Sequence, residues 1–147
     1  MTTFKIKKKY IVGLGNWLGS ISLQGKQSRM RTRFVSLLEE ALERYEKDRK
    51  AMLEEVCVKD EEGKPKLIEE NGQSHYDIPD DKTEQFNADM KEMGEEDAEL
   101  TGPETAPVFV TVSNILLNYD GKIEGRDAYA YDKWCEAAEA YLNTTKE

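Results

Sequence analysis

The chain has 147 residues and a net charge of −9, a length that suits one domain with a modest core formed without disulfides or metal. Hydrophobic residues make up 38% and charged residues 35%, polar for a globular protein yet apolar enough to exclude a disordered chain. No stretch reaches the roughly 20 consecutive apolar residues of a membrane-spanning helix, so no membrane partner is expected.

The first residues alternate. Phe4 and Ile6 fall on one side and lysines on the other, which predicts a short strand over 2–7 at the edge of a small sheet. Tyr10, Ile11, Leu14, Trp17, Leu18 and Ile21 then follow at spacings of three and four, the pattern of a short helix despite Gly13 and Gly15. The apolar run is glycine-broken and lacks a clear cleavage site, so it is not read as a secretion signal and the protein is expected inside the cell.

Residues 22–25 read as a turn, and Ser28 is a suitable N-cap for what comes next. From Ser28 to about Val58, Met30, Phe34, Leu37, Leu38, Ala41, Tyr45, Met52 and Val56 form an apolar stripe opposite Glu39, Glu40, Glu43, Glu46 and Lys47, which predicts one long amphipathic helix. Further on, Asn71-Gly72 is the preferred centre of a two-residue hairpin turn because both positions need positive φ. An exposed hairpin of residues 64–69 and 73–78 is expected, then a helix capped by Asp81 and running through Met93 on Phe86, Met90 and Met93.

Residues 94–107 are acidic and turn-rich and are expected as a mobile connection. Val108 to Leu117 fits both a strand, through its β-branched run, and a helix, through Val108, Val112, Ile115 and Leu116; helix is preferred. Tyr131, Trp134, Cys135, Ala138, Tyr141 and Leu142 predict a terminal helix over 127–142 docked through aromatics. The expected class is mainly α, of the α+β kind: a long amphipathic helix packed with shorter helices, plus a small β-hairpin, as a single domain over 1–147.

No residue set points to catalysis. His75, the single histidine, has no nucleophile pattern around it; Gly13-Leu14-Gly15 lacks the third glycine of a dinucleotide fingerprint. Paired acids such as Glu95-Glu96 and Asp80-Asp81 are what an acidic composition produces. Cys57 and Cys135 read as free thiols, and one histidine without a Cys-x-x-Cys gives no zinc site. In the register of an EF-hand loop, Asn118 to Glu124 would put Leu116 at the first ligand position, so calcium binding is expected to be poor. No catalytic residue, metal or cofactor is assigned.

The charge distribution is lopsided. Residues 1–33 carry eight cations and no acid, leaving 13 cations against 30 acids, or −17, for the rest. The cluster that stands out is Lys26, Arg29, Arg31 and Arg33 beside Ser28 at the start of the long helix, where unpaired backbone amides favour anions. These four residues are the candidate contact surface. The alternative is that Arg29 and Arg33, one turn apart, pair with the chain's own acids, for instance in the terminal helix.

Several segments carry a family resemblance: Lys5-Ile6-Lys7, Leu23-Gln24-Gly25-Lys26, Ser28-Arg29-Met30-Arg31-Thr32-Arg33-Phe34, Lys59-Asp60-Glu61-Glu62-Gly63-Lys64-Pro65, Leu116-Leu117-Asn118-Tyr119, and Tyr131-Asp132-Lys133-Trp134-Cys135-Glu136-Ala137. The chain resembles a family of small proteins, a domain of unknown function, encoded by temperate tailed phages of Gram-positive bacteria. The likeness runs almost end to end and departs most over Asn71 to Gly102. It implies a phage or prophage source, the host cytoplasm or the virion as location, and no activity to transfer.

The function expected is that of a non-enzymatic phage accessory protein acting by protein-protein contact, associated with assembly or the virion, with a phage structural or host protein as partner. The alternative is an anti-CRISPR-like inhibitor of a host nucleic-acid-targeting defence, in which the acidic remainder imitates a nucleic acid backbone. Direct nucleic-acid binding through Lys5 to Lys9 and Arg29 to Arg33 ranks last, because the chain is acidic overall.

Overall fold

The computed structural model describes residues 3–144. It is mainly helical, with five α-helices and two antiparallel strand pairs among the described residues. The chain, expected as one domain, packs as two compact units, residues 1–43 with 96–147 and residues 44–95.

In the first unit, strand β1 (Phe4–Lys7) pairs antiparallel with β4 (Asp97–Leu100). The register sets Phe4 opposite Leu100 and Ile6 opposite Ala98, all four buried, while Lys5 and Glu99 face outward and pair at 3.6 Å. The expected mobile connection at 94–107 is therefore corrected in part to a strand. Its turn-rich composition hid a four-residue alternation, Asp97-Ala98-Glu99-Leu100, that becomes a strand only because β1 supplies the partner and a core face.

A single 3-10 turn over Lys8–Tyr10 leads into α1 (Ile11–Ser20), which buries Ile11, Leu14, Trp17 and Leu18. Gly13 has a packing reason: a Cβ there would lie 3.2 Å from the Trp134 ring. Helix α2 (Gly25–Val56) begins one turn before the expected cap. The Ser28 amide donates to the Gln24 carbonyl at 3.0 Å, so Ser28 lies inside the helix and not at its N-cap. Met30, Phe34, Leu38 and Ala41 turn into the first unit's core as the stripe predicts.

Helix α4 (Ala106–Leu117) resolves the ambiguous segment as helix. Pro107 in its first turn suits a helix start, where no amide hydrogen is required, and Val108, Phe109, Val112, Ser113, Ile115 and Leu116 are buried at helical spacing. Helix α5 (Arg126–Thr144) packs beside it and buries Trp134, Ala138 and Tyr141.

The core is aromatic. Phe4 meets Phe34 edge-on at 5.1 Å and lies 5.7 Å from Phe109 and 5.9 Å from Tyr141. A second group joins Trp17 to Tyr119 at 4.9 Å and to Trp134 at 5.7 Å. Such pairs add about 0.5–1.5 kcal/mol each beyond the area they bury.

In the second unit, the hairpin forms where expected: β2 (Leu67–Glu70) and β3 (Gln73–Tyr76) pair around Asn71 and Gly72, whose φ values are 52° and 79°. Upstream, Asp60 Oδ1 accepts from the amides of Glu62 (2.8 Å) and Lys64 (3.0 Å), closing a turn completed by Gly63 at φ 81°. Helix α3 (Asp80–Glu95) starts one residue before the expected cap. Asp80 and Asp81 both lie in its first turn, where carboxylates oppose the positive end of the helix dipole.

Two substitutions separate packing from polar cost. Trp134→Ala should destabilise by about 3–5 kcal/mol through the cavity it leaves. Among the described residues the buried Tyr141 hydroxyl has no hydrogen-bond partner, so Tyr141→Phe should be neutral or stabilising by up to about 1 kcal/mol. Urea denaturation midpoints check both.

Candidate functional site

The four candidate cations do not stay together. Lys26, Arg29 and Arg33 are spaced three and four apart on α2, share one helix face and are exposed. Among the described residues none of the three is in an ion pair. Arg31 leaves that face. Its Nη1 donates to the Leu18 carbonyl at 3.0 Å and to the Ile21 carbonyl, and its Nη2 donates to Ser28 Oγ at 3.3 Å.

The physical cause lies in α1. Its last carbonyls have no backbone donors within the helix; Ser20 Oγ reaches the Trp17 carbonyl at 2.7 Å, and no basic residue stands in the last turn to answer the rest. Arg31 supplies both donors and charge from thirteen and ten residues away. The basic cluster thus divides into one structural residue, Arg31, and a three-residue exposed stripe, and the expected alternative, Arg29 and Arg33 paired with the chain's own acids, is not seen among the described residues.

The lysines near the N-terminus are engaged differently. Lys8 Nζ lies 2.7 Å from Glu96, Lys5 lies 3.6 Å from Glu99, and Lys9 stands over the Tyr10 ring at 5.2 Å. The acids of residues 94–107 therefore offset part of the basic segment locally. Exposed pairs of this kind contribute about 0–1 kcal/mol to stability, but they cancel charge that a partner would otherwise meet.

The residues weighed for chemistry are placed as follows. His75 is exposed on β3. Leu116, which an EF-hand register would make the first ligand, is fully buried, and among the described residues no group of three or more His, Cys, Asp or Glu could hold a metal ion. Gly121 has a packing reason instead, since a Cβ there would run into the Tyr119 side chain.

The Leu116 carbonyl accepts from the Tyr131 hydroxyl and, at 3.7 Å, from the Cys135 thiol. This joins the C-terminal turn of α4 to α5 just as Arg31 joins α2 to α1. Burial, the largest cause, and then the hydrogen bond with Cys135 push the Tyr131 phenol up to about 12. Burial also pushes the Cys135 thiol up, which holds it as a protonated donor. A thiol activated for attack needs the opposite shift.

Arg31→Ala should cost about 1–3 kcal/mol, because it leaves part-buried carbonyls without donors, whereas Arg29→Ala should stay within about 0.5 kcal/mol. Denaturation midpoints of the two variants give the comparison. For Tyr131, the folded value exceeds the ordinary value of 10.0, so the folded state keeps a proton that the unfolded chain releases. Its contribution is complete below about pH 10 and is lost as pH rises through about 12. Tyr131→Phe should remove that part of the alkaline slope in stability. Comparison of the chain with protein-family models, with curated proteins and with solved structures returns no match.

Proposed function

We propose that this chain is a non-enzymatic accessory protein of a temperate phage or prophage, working in the host cytoplasm or the virion by contact with an acidic surface on a protein partner. One observation carries the contact reading. Lys26, Arg29 and Arg33 form an exposed stripe that no acid of the described chain neutralises, although the chain is acidic overall and pairs other lysines internally. A stripe of that kind on a rigid helix steers an anionic surface and fixes its register. The phage source rests on the family resemblance, and the partner is a phage structural or host protein.

A second reading has its own support. Residues 44–95 carry 16 acids against nine cations, and Glu61, Glu62, Glu69 and Glu70 are exposed around the hairpin. That distribution suits imitation of a nucleic acid backbone for a basic groove of a defence effector. The two readings use different surfaces and are separable.

Affinity capture with the tagged full chain from phage-producing cells tests them. The triple variant Lys26→Glu, Arg29→Glu, Arg33→Glu should lose the captured partner by about tenfold or more, with its circular dichroism unchanged, and wild-type capture should weaken as salt rises. Equal capture by the triple variant would remove the stripe from the reading. Capture of a nucleic-acid-targeting effector by both forms would favour the acidic surface.

A further inference from the structure

The second unit contains a half-open cavity of about 570 Å³ that the contact reading does not use. Its apolar wall comes from Leu53 on α2, Tyr76 on β3, Ile78, and Phe86 with Met90 on α3. Leu53, Ile78, Phe86 and Met90 are partly covered and Tyr76 is 45% exposed, so some apolar area is left facing water around an opening. The volume lies in the range of small-molecule sites.

The lip is polar and cationic. Arg49, Lys50, His75 and Glu46 stand at it. Arg49 is held by Glu46 at 2.9 Å and lies over the Tyr45 ring, whereas Lys50 has no ion pair among the described residues. Lys50 is therefore an uncommitted charge beside an apolar wall. Charges beyond about 8 Å are screened at physiological salt, so a single anionic head responds to this lip more than to the acidic unit around it. A peptide bearing several acids would extend beyond the lip and meet that opposing field.

We propose that this cavity binds a soluble monoanionic amphiphile, a small apolar body with one carboxylate, with the apolar part against Phe86, Met90 and Leu53 and the carboxylate toward Lys50. The site is separate from the α2 stripe and does not rest on the proposed function.

His75 is the chain's single histidine and lies at the lip, so its ring proton resonances report this site alone. Titrating decanoate into the full chain should shift them saturably, while decylammonium at equal concentration should not. Lys50→Glu, an exposed substitution, should weaken decanoate binding about tenfold, and Tyr76→Ser should weaken it through the wall. An absent or non-saturating shift overturns the proposal. So does an equal response to decylammonium, which would mark an apolar cleft without charge selection, or unchanged binding in Lys50→Glu. Vesicles of phosphatidylglycerol that shift the resonances where monomeric decanoate does not would mark a lipid surface as occupant, and would also overturn it.

Discussion

Short helices end in carbonyls that have no partner within the helix, and the first unit is organised around the need to supply donors for them. Helix α1 is ten residues long and α4 twelve, and neither has a basic residue in its last turn. A helix end buried without donors loses about 1–3 kcal/mol for each unmet group. Arg31 meets the end of α1, and Tyr131 with Cys135 meets the end of α4. Trp134 Nε1 adds a bond to the Tyr10 carbonyl at 3.3 Å, where the 3-10 turn gives way to α1. Arg31 comes from α2 and the other three donors from α5, each outside the helix it completes, so the bonds that complete one element also fix its position against another.

The aromatic core is compatible with that arrangement because its polar handles are used at its margin. Trp134 buries its ring completely and still places its N–H on a backbone oxygen, and Tyr131 packs 5.7 Å from Trp17 while its hydroxyl reaches Leu116. Tyr141 differs: its ring packs between Phe4 and Phe109, and its buried hydroxyl has no hydrogen-bond partner among the described residues. Gly13 belongs to the same group of contacts, since it makes room for the Trp134 ring beside α1.

Charge follows a parallel division. The strand pair β1–β4 brings lysines and acids to one face, where they offset each other, and α1 draws Arg31 inward as a donor. What remains of the basic segment on α2 is the exposed stripe of Lys26, Arg29 and Arg33. In residues 44–95 the apolar side chains are fewer and less covered: only Tyr45, Cys57, Met93 and Gly94 are buried there. The open cavity between α2, β3 and α3 is the geometric result of a short hairpin and one thin helical stripe sharing a wall.

The sequence determined the elements that have a strong local cause. The apolar stripe through Met30, Phe34, Leu38 and Ala41 specified the long helix, Asn71-Gly72 specified the hairpin through its positive φ requirement, and Phe4 with Ile6 specified a one-faced strand. The helical spacing of Val108, Val112, Ile115 and Leu116 carried the ambiguous segment. Local pattern could not reveal β4, because four alternating residues in an acidic run are a strand only beside a partner 90 or more residues away. Nor could it divide the basic cluster: Arg31 differs from Arg29 and Arg33 only through the helix end it meets, and the cavity at Lys50 depends on side chains from three elements. Helix and turn geometry is set by neighbours in sequence, whereas the satisfaction of polar groups and the shape of a cavity are set by neighbours in space.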